Sequence, residues 1–157
     1  MDATQWAGVS AFGCAAAGCL TLRAPKGPFL GAINACLAAE CVLRLRHSLH
    51  NQAVALLGHY YPERKPLQVA LIILISLVGL TLVRLAKRRR PISWRTDLPT
   101  LATVAALLLF TIETVSLHAV DRLVYRPAGT LLIIGWLWIA LGVTTTTSAL
   151  SRHRSGG

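Results

Sequence analysis

The residues best able to do chemistry in this sequence are histidines and acids close to the ends of apolar segments. The tripeptide Ser-Leu-His occurs twice, at residues 48–50 and 116–118, and an acid precedes each copy, Glu40 and Glu113. Imidazoles and carboxylates gathered at one membrane boundary bind metals or haem, line quinol sites and carry protons. The sequence therefore predicts a polar cluster where the two turns meet.

A redox module is one hypothesis for this cluster. His50 and His118 would bind a b-type haem, or line a quinone pocket, on facing helices. Arg44 and Arg46 would then pair with the haem propionates. This interpretation predicts a function in electron transport, although no glycine lies beside either histidine to admit a porphyrin.

A metal site is a second hypothesis, with His50, His118, Glu113 and Asp121 as ligands, or a small enzyme acting on lipid head groups. The spacing argues against one tight site, because Glu113 and His118 are five residues apart and point about 140° apart around a helix. The Glu-x-x-His spacing of di-iron bundles and the common hydrolase and phosphate-loop motifs are absent. The sequence therefore favours a protein that is not an enzyme.

The same residues also have a purely structural interpretation, as a buried polar cluster that stabilises the fold. Glu40 is expected to pair with Arg44, four residues later on one helix. Glu113 has no partner in its own helical turn, so an arginine from the other hairpin would neutralise it. The predicted cluster consists of Glu40, Arg44, Glu113, His118, Asp121 and Arg122.

Composition indicates a membrane protein. The chain has 157 residues, 54% of them hydrophobic and 14% charged, with a net charge of +10. The cations lie between long apolar runs, which is typical of loops that flank membrane spans and not of a nucleic-acid-binding surface. We predict one transmembrane domain, residues 1–150, followed by a short, basic, disordered tail, residues 151–157.

Five apolar segments predict an all-α, polytopic transmembrane bundle with five spans. A four-span version, in which the first segment lies in the membrane interface or outside the bundle, is the alternative. The basic run at residues 87–90 is expected on the cytoplasmic side of an inner membrane, which places the N-terminus outside and the C-terminus in the cytoplasm. The segments are residues 5–22, 29–46, 67–86, 98–118 and 129–150.

Segments two and three, and segments four and five, resemble two copies of one helical hairpin. Each copy has Ser-Leu-His, then a tyrosine close to a proline, then a long apolar span. Such an internal repeat would set His50 and His118 at matching depth around an axis along the membrane normal.

Small and aromatic residues predict how the helices pack. In the first segment Ala7, Ala11, Ala15 and Cys19 recur every four positions, which lets another helix approach closely. An aromatic belt at the membrane boundary is predicted from the tryptophans, including Trp136 and Trp138, and from Tyr60, Tyr61 and Tyr125. The four cysteines are expected to be packing residues.

These features favour a non-catalytic membrane subunit that helps to assemble or stabilise a larger complex. Its expected partners are the lipid bilayer and other membrane subunits, or further copies of itself. We expect no nucleic-acid partner.

Overall fold

A computed structural model of the chain shows a mostly helical protein. It describes residues 1–22, 26–44, 94–115 and 122–155, together with a few single residues between 48 and 79. Four long helices account for most of this: α1 (Ala3–Leu20), α2 (Lys26–Leu43), α3 (Trp94–Val115) and α4 (Ile133–Ser155). Two short strands, β1 (Pro127–Ala128) and β2 (Leu131–Leu132), precede α4.

The first helix begins with a capping box. The amide of Gln5 donates to the carboxylate of Asp2 at 2.8 Å, and the amide of Asp2 donates to the Gln5 side chain at 2.9 Å. These two bonds satisfy amide groups that have no partner inside the helix. The local sequence Asp-x-x-Gln therefore starts α1 at Ala3, two residues before the predicted segment.

The helix ends meet at two opposite ends of a bundle. At one end Asp2 lies 3.9 Å from the guanidinium of Arg44, and Thr4 accepts a hydrogen bond from the amide of Leu132 at 3.2 Å. At the other end Lys26 forms an ion pair with Asp97 at 3.2 Å. These contacts place the starts of α1 and α4 beside the ends of α2 and α3. We call the two ends the Asp2 end and the Lys26 end.

Aromatic residues form the centre of the bundle. Phe12 meets Phe110 edge-on at 5.6 Å, and Phe110 stacks on Trp138 at 5.5 Å, so α1, α3 and α4 share one core. Trp138 is 1% exposed, whereas Trp136 is 50% exposed. The prediction that Trp138 belongs to an aromatic belt is therefore wrong. Of these two rings, Trp138 faces the core and Trp136 faces outwards.

Small residues let α1 and α4 approach closely. Ala15 and Cys19 are fully buried, as a packed stripe requires. The backbones are in close contact at Gly142, where an added Cβ would lie 2.7 Å from the carbonyl oxygen of Ala11. The close packing predicted for the first segment is thus found, with a glycine of α4 as the opposing surface.

A β-hairpin with a two-residue loop lies at the Asp2 end. Pro127 pairs with Leu132 and Ala128 with Leu131, and Gly129 between the strands has φ 71°, a conformation that glycine adopts readily. The indole N–H of Trp136 donates to the carbonyl of Ala128 at 2.9 Å and fastens the hairpin to α4.

Of the four helices in the described ranges, two are long and apolar enough to cross a membrane. They are Lys26–Leu43, with mean hydropathy 1.2, and Ile133–Ser151, with mean hydropathy 1.5. An arrangement with five spans is not confirmed, and most of the predicted third span, residues 67–86, lies outside the described residues. The last helix continues to Ser155, past residue 150 where the sequence predicts the tail.

Candidate functional site

The best-defined polar group at the Asp2 end is the carboxylate of Glu113. It lies in the last turn of α3, one turn after Phe110, and is 6% exposed because the core packs around that turn. The hydroxyl of Tyr125 donates to Glu113 Oε1 at 3.0 Å. Glu113, the acid for which the sequence offers no partner in its own helical turn, is thus bonded to a residue twelve positions later.

The hairpin segment holds Tyr125 in place. Val124 beside it is buried in the core, and the amide of Arg126 donates to the carbonyl of Leu123 at 3.3 Å in a tight turn. The hydroxyl of Tyr125 therefore points inwards to Glu113, although the sequence assigned this residue to an aromatic belt. No local pattern in the sequence links this tyrosine to Glu113, which lies twelve residues earlier.

A buried carboxylate with a phenol donor can accept hydrogen bonds or hold a proton. Removing a carboxylate from water is costly unless it is hydrogen-bonded or protonated. The Tyr125 bond offsets part of this cost, since hydrogen bonds to charged groups are stronger than those between neutral groups. The Tyr125 hydroxyl thus supplies a hydrogen-bond donor to a carboxylate that is buried at the end of the bundle.

Arg44 pairs differently from the prediction. Its amide continues α2 by donating to the carbonyl of Glu40 at 2.9 Å, and its φ of 53° then ends the helix. Its guanidinium forms an ion pair with the carboxylate of Asp2 in the N-cap of α1, at 3.9 Å. The left-handed turn at Arg44 directs the side chain across to α1. Both partners are largely exposed, so this ion pair contributes little stability.

The described members of the predicted polar cluster differ in burial. Glu113 is buried and Glu40 is half-buried, whereas Arg44 and Arg122 are exposed, because long side chains at helix ends reach solvent. The other predicted site residues lie outside the described residues: Arg46, His50, His118 and Asp121. Binding of haem, quinone or a metal through these histidines stays a prediction.

Metal binding has no candidate in the described ranges. Among those residues, no three histidine, cysteine, aspartate or glutamate side chains lie close enough together to hold an ion. All four cysteines are free thiols, Cys19 and Cys41 buried and Cys14 and Cys36 exposed.

A second polar group lies inside the bundle, between α2 and α3. The amide nitrogen of Asn34, which is fully buried, donates to the Thr103 hydroxyl at 3.0 Å and to the carbonyl of Leu30 at 2.9 Å. Thr103 in turn donates to the carbonyl of Pro99 at 2.9 Å. Sequence reasoning missed this pair, although a single asparagine in an apolar helix is a known signal of interhelical bonding.

Comparison of the chain with protein-family models, with curated proteins and with solved structures finds no match. The described residues form a helical bundle in which two helices are apolar enough to cross a membrane and a buried acid lies at one end.

Replacing Tyr125 with phenylalanine tests the hydrogen bond to Glu113. We expect the free energy of unfolding in mixed micelles to fall by about 1 kcal/mol, because the carboxylate loses its phenol donor. The matched variant is Glu113→Met, which has a similar side-chain length but no oxygen to accept the bond. A double-mutant cycle of the two should show a coupling energy of about 1 kcal/mol. A coupling energy of zero would show that the bond contributes nothing.

Proposed function

We propose that the protein is a small integral membrane protein that acts as an accessory or assembly subunit of a larger membrane complex. The observation that supports this most is the distribution of polar and apolar side chains. Large apolar residues face outwards on all four helices, including Trp6, Phe29, Leu43, Leu107 and Val143. Among the residues that the structure describes, seven polar ones are buried instead: Thr4, Gln5, Asn34, Thr103, Glu113, Thr145 and Ser148.

Lipid as the surrounding solvent explains this distribution. In water, isolated polar side chains are mostly exposed, and contiguous apolar surface is kept small. In a bilayer, polar groups turn inwards to bond with each other, as Asn34 does with Thr103. Hydroxyls of α4 also bond to their own helix, for example Thr145 to the carbonyl of Leu141 at 2.9 Å.

The proposed topology has five spans in an inner membrane, with the N-terminus outside. The basic run at residues 87–90 anchors the cytoplasmic side, together with the Lys26 end of the bundle. The Asp2 end, with Glu113 and Tyr125, then faces the outer boundary. Cysteine accessibility at the two ends, measured in intact cells with a membrane-impermeant thiol reagent, tests this orientation.

An accessory role is supported by the outward face of α2. Ala32, Ala35, Cys36 and Ala39 are all exposed and lie at helical spacing on one side. Small side chains let a second transmembrane helix approach the backbone closely. This face of α2 fits an apolar transmembrane helix of another subunit.

Replacing Ala35 with leucine tests this face. We expect about tenfold less of a stoichiometric partner to co-purify in mild detergent, which corresponds to about 1.4 kcal/mol, because the larger side chain keeps the partner helix away. The fold itself should be unaffected, since Ala35 is exposed. The matched control is Ala140→Leu, an exposed alanine on α4.

Two results would contradict the proposal. One is a wild-type protein that purifies as a single copy with no partner. The other is an equal loss of partner in the Ala35 and Ala140 variants, which would show that the effect is not specific to α2.

The alternative function is a redox module in which His50 and His118 bind haem or quinone. It is tested separately. A visible absorption spectrum of the purified protein should show a Soret band if haem is bound, and His118→Ala should abolish it. A metal site, or an enzyme acting on lipid head groups, would be tested by metal analysis of the same variant.

A further inference from the structure

Two exposed arginines flank the turn that carries Tyr125. Arg122 and Arg126 both face outwards, while Val124 between them is buried and Tyr125 bonds to Glu113. Within the described residues neither guanidinium forms an ion pair. The Asp2 end thus presents two cations whose charge is not offset by a described acid.

The backbone around these arginines is held on several sides. The amide of Ile133 donates to the carbonyl of Arg126 at 3.0 Å, and the hairpin that follows is fastened by Trp136 and by Thr4. The two guanidinium groups therefore project from an ordered turn. Less backbone conformational entropy is lost when side chains on such an ordered turn bind a ligand.

Exposed apolar side chains occur on the same segment as the two cations and at the start of α4. Leu123, between them in sequence, is 57% exposed, and Trp136 is exposed where α4 begins. The outward face of α4 continues from there with Leu137, Ala140 and Val143. A partner for this surface must offer an anion beside a long apolar group.

We propose that Arg122 and Arg126 form a binding site for the head group of an anionic phospholipid. The guanidinium groups bind the phosphate, to which planar donors are well matched. The acyl chains lie along Leu123 and the outward face of α4. The adjacent apolar surface favours a lipid over a soluble phosphate, and the two unpaired cations favour an anionic head group over a zwitterionic one. This inference rests on the proposed membrane location.

Lipid retention by the full-length protein tests the site. The protein is reconstituted in nanodiscs of equal amounts of phosphatidylglycerol and phosphatidylcholine, and native mass spectrometry measures the ratio of the two lipids that stay bound. We expect wild type to retain phosphatidylglycerol preferentially. Arg122→Gln and Arg126→Gln should each lower the ratio about fivefold, the effect expected for one basic residue near an anionic surface.

The matched control is Arg44→Gln, which removes one exposed arginine at the same end. Its guanidinium already faces the carboxylate of Asp2 at 3.9 Å, so the ratio should stay at the wild-type value. All variants keep the basic run at residues 87–90, which therefore contributes equally to each measurement.

Several outcomes would overturn the proposal. An unchanged ratio in the Arg122 and Arg126 variants, or an equal drop in the Arg44 variant, would show that the turn is not a specific site. Competition by millimolar glycerol phosphate would assign it to a soluble anion. Loss of a co-purifying acidic protein with no change in lipid ratio would assign it to a protein partner.

The membrane proposal can fail separately. A protein that does not incorporate into nanodiscs of phosphatidylcholine alone would contradict the membrane location itself, and this inference with it. Normal incorporation there, without a preference for phosphatidylglycerol in the mixed nanodiscs, would overturn the lipid site and leave the membrane location standing.

Discussion

Replacing Trp138 with alanine is expected to lower the free energy of unfolding by about 3 kcal/mol. This is the low end of the range for deleting a buried aromatic ring. The ring is 1% exposed, stacks on Phe110 and contacts α1 at Gly8, so its removal leaves a cavity where three helices meet. In a bilayer the unfolded helices are also shielded from water, so the loss comes mainly from packing. Unfolding in mixed micelles, followed by circular dichroism, measures it.

Trp136→Ala is the matched control, two residues earlier on the same helix. Trp136 is half exposed and makes one hydrogen bond to the hairpin, so we expect a loss of about 1 kcal/mol or less. Equal losses in the two variants would contradict the core position of Trp138.

Replacing Gly142 with alanine is expected to destabilise the bundle by about 2 kcal/mol. The added methyl would lie 2.7 Å from both the Cβ and the carbonyl oxygen of Ala11, so α1 and α4 must separate. This overpacking outweighs the gain of about 0.5–1 kcal/mol that alanine normally brings to a helix. The thermal unfolding midpoint in detergent should fall accordingly.

The control for this substitution is Gly13→Ala. A Cβ at Gly13 meets nothing within 4 Å, so only the helix-propensity gain remains and stability should rise slightly. Adding Ala11→Gly to the Gly142 variant should restore part of the loss, because it removes the clash with the Cβ but not with the carbonyl oxygen. Full stability of Gly142→Ala alone would show that the two helices are not in close contact.

Local features of the sequence were enough to predict the helices and some of their packing. Long apolar segments indicated helical elements, and the small residues of the first segment indicated close packing, which is found at Ala15 and Cys19. Helix formation depends on neighbouring residues, and close approach depends on side-chain size, so both can be recognised in a single sequence. The number of membrane spans and the repeat of the two hairpins stay predictions.

The partners of individual side chains were decided by the tertiary structure alone. Asn34 and Thr103, or Lys26 and Asp97, are about seventy residues apart, and no local pattern links them. The inward position of Trp138 and the outward position of Trp136 could not be distinguished either. In a helix that is apolar on every side, periodicity does not indicate which face is buried. Packing against α1 and α3 determines it, which is why the core and the Glu113–Tyr125 pair emerged only from the folded chain.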